Sequence, residues 1–198
     1  QLDERSETMR RTAAAFVPLL PADLARLLDG WDGTADAESA RYLVARALRR
    51  ALRERALAAW GAPPFRWHLE GDNWNDLVEA DDGAFRAAGL GERAAFLAGA
   101  ADDAVAALAK RHGAERSAWS WGEANRLSVR HPLGRVPGLS WLFDPPRPVQ
   151  SGAATTPRAA SPSFGQSLRL LVDWGDLRAA TLVVPFGASG HVSSPHRV

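Results

Sequence analysis

Ser163-Phe164-Gly165-Gln166-Ser167-Leu168-Arg169-Leu170-Leu171-Val172-Asp173-Trp174-Gly175-Asp176 decides how the chain is read. Gln166 to Trp174 and Ala179 to Val184 are apolar enough for two strands, and Gly175-Asp176 predicts a tight hairpin turn between them. Gly187-Ala188-Ser189-Gly190-His191-Val192-Ser193-Ser194-Pro195-His196 follows as a glycine-bounded loop. Upstream, residues 131–165 are rich in Pro, Gly and Ser and read as a long ordered loop. Asn125 to Arg130 alternates, with Leu127 and Val129 on one side and Arg126, Ser128 and Arg130 on the other, a period of two.

Before Ser117 the period is 3.6 instead. Leu2 to Leu28 has helical spacing but contains Pro18 and Pro21, which should split it near Leu20. Asp29 to Gly33 reads as a turn, and Asp36 as the cap of the next helix with Glu38 in its first turn. In that helix Ala40, Leu43, Val44, Ala47, Leu48, Ala51 and Leu52 form one stripe, opposed by Arg46, Arg49, Arg50 and Arg53. Gly61 and Pro63-Pro64 stop it. A short helix is expected near Asn75 to Glu79, in an otherwise irregular stretch. Glu92 to Arg111 is a long helix lined by Ala94, Leu97, Ala98, Ala101, Val105, Leu108 and Ala109, closed by Gly113. Helices first and strands later predict an α+β fold, with a mainly helical segment at 1–117 and a β-rich segment at 118–198, together part of one larger domain.

Composition narrows the function classes. The net charge of +1 points to neither a nucleic-acid nor a membrane-surface partner. Cysteine is absent, which removes disulfides, thiolate nucleophiles and zinc-thiolate sites together. No stretch approaches the ~20 apolar residues that cross a bilayer. Lys110 is the sole lysine among basic residues that are otherwise arginine and are not clustered. The chain opens on Gln1 and closes on Arg197-Val198, and we expect a piece of a longer polypeptide.

Four collinear segments resemble the penicillin acylase family. Gln1-Leu2-Asp3-Glu4-Arg5-Ser6 is similar to a Gln-x-Asp-x-x-Ser helix start, and Leu28-Asp29-Gly30-Trp31-Asp32-Gly33 follows it. Trp119-Ser120-Trp121-Gly122-Glu123-Ala124-Asn125, then His131-Pro132-Leu133-Gly134, is similar to a Trp-x-Trp-Gly-x-x-His and His-Pro-Leu pair, with Asn125 in place of the first histidine. The Ser163 to Arg169 run and the Gly187 to His196 loop complete the set.

The resemblance implies an N-terminal nucleophile hydrolase, folded as a four-layer αββα sandwich of which this chain is a part. It implies a precursor that cuts itself, a serine whose own α-amino group acts as base, and donors that stabilise the oxyanion. The substrate is a linear amide of penicillin, cephalosporin or N-acyl-homoserine lactone type. That apparatus maps to upstream segments, so the expected partner is the remainder of the acylase and no activity is expected of the isolated chain. Calcium is implied for the parent only, and a periplasmic or secreted location by analogy.

Few residues here are candidates for a role near chemistry. In cephalosporin-type relatives a strand carboxylate similar to Asp173 orients an active-site histidine; the alternative is an ion pair with Arg169 on the same strand face. Gly187, Ser189, Gly190 and His191 are expected to brace the active site, the glycines permitting a tight turn. His131, extended by the following proline, reads as a structural turn residue. Asp72, Asp76, Asp81 and Asp82 read as surface acids rather than a metal site. Trp67, Trp74, Trp119 and Trp121 read as core anchors. The rival to an acylase scaffold is a non-catalytic interaction module or a degenerate relative.

Overall fold

The computed structural model describes residues 4–61, 73–165, 169–183 and 193–194. Its order is α1 (Glu7–Phe16), α2 (Ala22–Leu28), α3 (Arg41–Ala59), α4 (Asn73–Glu79), α5 (Asp82–Ala87), α6 (Arg93–His112), α7 (Trp121–Ala124), α8 (Ser140–Phe143), β1 (Arg169–Leu171) and β2 (Thr181–Val183). The fold is mixed: helices, then a two-stranded antiparallel sheet.

The two prolines act as expected. Pro18 sits in a 3-10 turn at Val17–Leu19 and Pro21 directly precedes α2, so one apolar stretch becomes two helices. Ser6 caps α1, its hydroxyl accepting from Met9 N–H at 3.3 Å. Asp36 does not cap α3. Its carboxylate closes a turn by accepting from Glu38 N–H at 3.0 Å, and the helix begins only at Arg41. Asp81 caps α5, a helix the sequence did not announce, by accepting from Ala84 N–H at 2.8 Å.

Helix α3 is central. It packs against α6 on one side and against α1, α2 and α7 elsewhere, so its buried surface is wider than one stripe. The expected opposition of apolar and arginine faces therefore fails at Arg49, 0% exposed, and Arg53, 7% exposed. Arg49 is held by Thr12 Oγ1 at 3.0 Å and Asn75 Oδ1 at 2.9 Å, hydrogen bonds that offset the loss of hydration. Helix α6 is rotated slightly from its expected stripe: Phe96, Leu97, Ala100, Ala101, Ala104 and Leu108 are buried while Ala94 is exposed. The core runs from Met9 and Phe16 through Tyr42, Leu48 and Leu52 to Leu97, Trp119 and Trp121.

The later segment is stitched to the earlier one by backbone. Trp121 N–H bonds Ser39 O at 2.9 Å, Gly122 N–H bonds Ala37 O at 2.8 Å, and Gly152 N–H bonds Ala35 O at 2.8 Å. Residues 125–130 keep their alternation of burial, with Leu127 inside. They form no strand, because Leu127 N–H goes to Pro148 O at 3.1 Å and Ser128 N–H to Pro162 O at 2.7 Å, two separate loops.

The hairpin exists in the expected antiparallel sense, with Arg169 opposite Val183, Leu170 opposite Leu182 and Leu171 opposite Thr181. Its connection is not the tight turn expected. Residues 172–180 intervene and contain a 3-10 turn at Leu177–Ala179. Leu170 and Leu182 remain 58% and 59% exposed, and Leu171 on the opposite face is 50% exposed. Neither face of the hairpin is covered among the described residues.

Candidate functional site

The Glu4–Ser6 and Leu28–Gly33 stretches and Trp119–Asn125 meet at one packed junction between the entry to α1, the start of α3, and α7. Ser6 N–H bonds Gly33 O at 2.9 Å and Ala35 N–H bonds Glu4 O at 2.9 Å. Gly33 takes φ +89°, and a Cβ there would lie 2.6 Å from Ser6 O, so this close approach requires glycine. The Ser6 and Tyr42 hydroxyls both meet Thr155 Oγ1, at 2.8 and 3.0 Å. Trp31 packs edge-on to Tyr42, and Tyr42 lies 4.6 Å from Trp121 between ring centroids. Asp32 sits below the ordinary carboxylate range because the Thr34 hydroxyl and backbone N–H donate to it and Arg5 lies near.

Gly152 O is the hub of the second motif. Trp121 Nε1 donates to it at 2.8 Å and Asn125 Nδ2 at 3.1 Å, with a further Asn125 bond to Gln150 O at 3.3 Å. One amide nitrogen thus ties two carbonyls, so Asn125 organises this turn without an imidazole. Its Oδ1 is buried and has no hydrogen-bond partner. Gly152 itself has φ +84°, and a Cβ would meet Arg158 O at 2.2 Å. Nothing in the sequence around Gly152 flags this role, because the partners lie some thirty residues upstream.

The other motif residues are structural in their contacts. His131 Nδ1 accepts from Leu133 N–H at 3.1 Å, its ring stacks on Phe143, and its N–H goes to Asp144 Oδ1 at 3.1 Å. The extended ψ of 143° at His131 is the one Pro132 demands. Trp119 and Trp121 are core anchors, as read from the sequence. Asp81 and Asp82 serve backbone N–H groups of Ala84 and Arg93, and no cluster of three or more metal-ligating side chains occurs among the described residues.

Asp173 lies beyond β1, not in it, and is exposed. Its Oδ1 accepts from Gly175 N–H at 2.8 Å and Asp176 N–H at 3.4 Å, so the carboxylate shapes the connection between the strands. Gly187, Ser189, Gly190 and His191, with Trp67 and Asp72, lie outside the described residues. Among the described residues, the first motif and Trp119–Asn125 thus share one packed junction.

A cavity of about 570 Å³ lies beside this junction, between α3, α6, α7 and the 154–162 loop. Leu43, Ala47, Ala51, Ala104, Leu108 and Trp121 supply its apolar walls. Arg46 stands with its guanidinium carbon 5.9 Å from the centre of the Trp121 ring. Nothing in the residue pattern points to this cavity, since its lining reads as an ordinary amphipathic boundary on each helix.

No curated protein matches this chain. A family model described as penicillin amidase matches residues 1–198, the whole of the sequence. The match spans the α1 entry, the Trp121–Gly152 junction and the hairpin alike. The chain therefore belongs to the penicillin amidase family, one of acylase-type hydrolases.

Proposed function

We propose that this chain is the scaffold portion of an acylase that hydrolyses a linear amide, of penicillin, cephalosporin or N-acyl-homoserine lactone type, with its attacking serine in polypeptide outside these residues. In the reaction water supplies hydroxyl to the acyl carbon and a proton to the departing amine, giving a carboxylic acid and an amine. One observation carries the reading: a two-stranded sheet with leucines exposed on both faces, in a chain whose helices bury an apolar core of their own. A lone hairpin of three-residue strands is marginal in water. Covering what remains exposed of each leucine, about half or a little more, would contribute about 1–2 kcal/mol. An αββα sandwich covers a sheet on both faces, so the hairpin is the piece that joins such a sandwich. In this reading the helices form one outer layer of the sandwich. Any calcium of the parent enzyme belongs to those other segments as well.

That helical core also suits the second reading, a module that folds alone and binds through the hairpin. The experiment measures hydrolysis of a chromogenic acyl-amide by the purified chain, alone and after refolding with the upstream polypeptide of the same gene. The expected result is no turnover alone and turnover once both are present. Turnover by the chain alone, surviving further purification, would refute the scaffold reading. A failure of the pair to form an active complex would favour the non-catalytic module.

A further inference from the structure

We propose that residues 131–144 form an acid-released clasp, held shut by a neutral imidazole at His131 and opened when that ring takes up a proton. The clasp is two short turns folded against each other, the 3-10 turn at Pro132–Arg135 and α8. It is separate from the amide chemistry proposed above.

Three contacts made by one residue close it. His131 Nδ1 accepts from Leu133 N–H at 3.1 Å, and its backbone N–H donates to Asp144 Oδ1 at 3.1 Å. The ring stacks on Phe143, with centroids 5.3 Å apart and planes inclined by 20°. Gly134 completes the fit: it is buried, its N–H donates to His131 O at 2.9 Å, and a Cβ there would collide with Asp144 Oδ1. An Nδ1 that accepts must carry a lone pair, which leaves the neutral ring's proton on Nε2. Capping a turn in this way is ordinarily the work of Asn, Asp, Ser or Thr. Histidine adds what those residues lack, a change of charge between about pH 5 and pH 8.

Protonation strikes the closing bond directly. A proton on Nδ1 turns the acceptor into a donor that faces the Leu133 N–H. The clasp offers the charged ring no unspent anion. Asp144 is its one carboxylate, with Oδ1 on the His131 backbone and Oδ2 3.8 Å from Arg147. No carboxylate pairs with the His131 ring among the described residues, and the flanking Arg130 and Arg135 are exposed and enter no ion pair there. Asp144 can reach the imidazolium only by leaving the His131 backbone N–H, which also opens the clasp. The closed form therefore binds a proton less well than the open one, and acid shifts the population towards the open form. Leu133, Val136 and Trp141 stand exposed on these turns, so opening rearranges an apolar surface and leaves the helical core untouched.

The test follows amide hydrogen exchange of the 198-residue chain by NMR at about pH 7.5 and about pH 5, which bracket the usual imidazole titration, with rates corrected for the intrinsic effect of pH. Protection at Leu133 and Gly134 is expected to fall about tenfold on acidification, the scale of one lost hydrogen bond. The Trp121 amide, bonded to Ser39 O, should lose far less. His131→Asn keeps an acceptor for the N–H two residues on but takes up no proton, so its protection should be equal at both pH values. His112→Gln should behave as the parent at these amides. The His131 ring is titrated in the same samples through its carbon-bound protons, and its midpoint should coincide with that of the loss at Leu133. Unchanged protection in the parent overturns the proposal. So does a loss shared equally by Trp121, a loss that persists in His131→Asn, one that disappears with His112→Gln, or one whose midpoint departs from that of the ring. The midpoint comparison uses the parent alone, so it decides the matter even if the Asn variant does not fold. None of these outcomes depends on amidase activity, so the clasp and the acylase reading fail separately.

Discussion

Gly122→Ala pits helix propensity against packing, and the structure says which prevails. Gly122 is the second residue of α7, where alanine is favoured over glycine by up to about 1 kcal/mol in a helix interior. A Cβ at this position would lie 2.8 Å from Ala37 Cβ, 2.9 Å from Ala37 O and 3.1 Å from Ala37 Cα. Two of these three atoms are backbone, and the third is fixed directly to it. Ala37 is itself pinned by Gly122 N–H at 2.8 Å, by the Ser120 hydroxyl at 2.7 Å and by the Ser151 hydroxyl at 3.0 Å. The clash must therefore push α7 off the start of α3. Forced overpacking costs about 1–3 kcal/mol. Weakening one backbone hydrogen bond adds about 1 kcal/mol. Less the propensity gain, the net loss is about 2 kcal/mol, a drop of ~4–8 °C in melting temperature for a chain of this size.

Gly99→Ala is the matched comparison. Its Cβ would meet only the guanidinium end of Arg55, a side chain 39% exposed and able to swing away, so propensity should dominate and stability should hold or rise. Thermal unfolding followed by circular dichroism at 222 nm measures both. A Gly122→Ala protein melting within a degree of the parent would refute the claim that the α3–α7 contact is rigid.

Two further predictions come from buried cationic groups. Arg49→Met should lower the urea midpoint by an amount equivalent to about 2–4 kcal/mol, because Thr12 and Asn75 lose a charged donor inside the core. Arg49→Lys should recover only part of this, since an ammonium cannot reproduce the planar fork. His112 is held below its ordinary value of 6.5 by burial and then by Arg111, so the unfolded chain takes up its proton first as pH falls. Its contribution is complete above about pH 6.5 and is lost as pH drops towards the lower folded value. His112→Gln should flatten that part of the melting-temperature profile between pH 7 and pH 5; an unchanged slope would show that His112 is not the group responsible.

What could be read ahead of the structure follows how local each signal is. Pro18, Pro21, Gly61 and Gly113 act on their own backbone, and the helix ends they mark fall within a residue or two of expectation. The burial of Arg49 could not be read, because it depends on α1 and α4 bringing Thr12 and Asn75 to what the α3 pattern presents as a solvent face. The Asp36 cap failed for a similar reason. Asx turns and helix caps use the same carboxylate-to-N–H bond, and only the following residues decide between them. In the candidate site, Trp121 and Gly122 were recognisable as a motif, but their partners Ala37 and Gly152 lie far off in sequence. The cavity has no sequence signature at all, being the space left where two helices and a loop fail to close.

The segment 125–130 has a consequence for how such a chain stays out of trouble. The carbonyls that receive the Leu127 and Ser128 N–H groups belong to prolines, Pro148 and Pro162, which have no hydrogen of their own to return. Each contact is a one-way grip at a single point, and reciprocal zippering stops there. The chain thereby holds an extended ribbon against its helical body by two separate anchors, and neither anchoring loop can grow into a second strand beside it at that point, since the ring nitrogen has nothing to donate back.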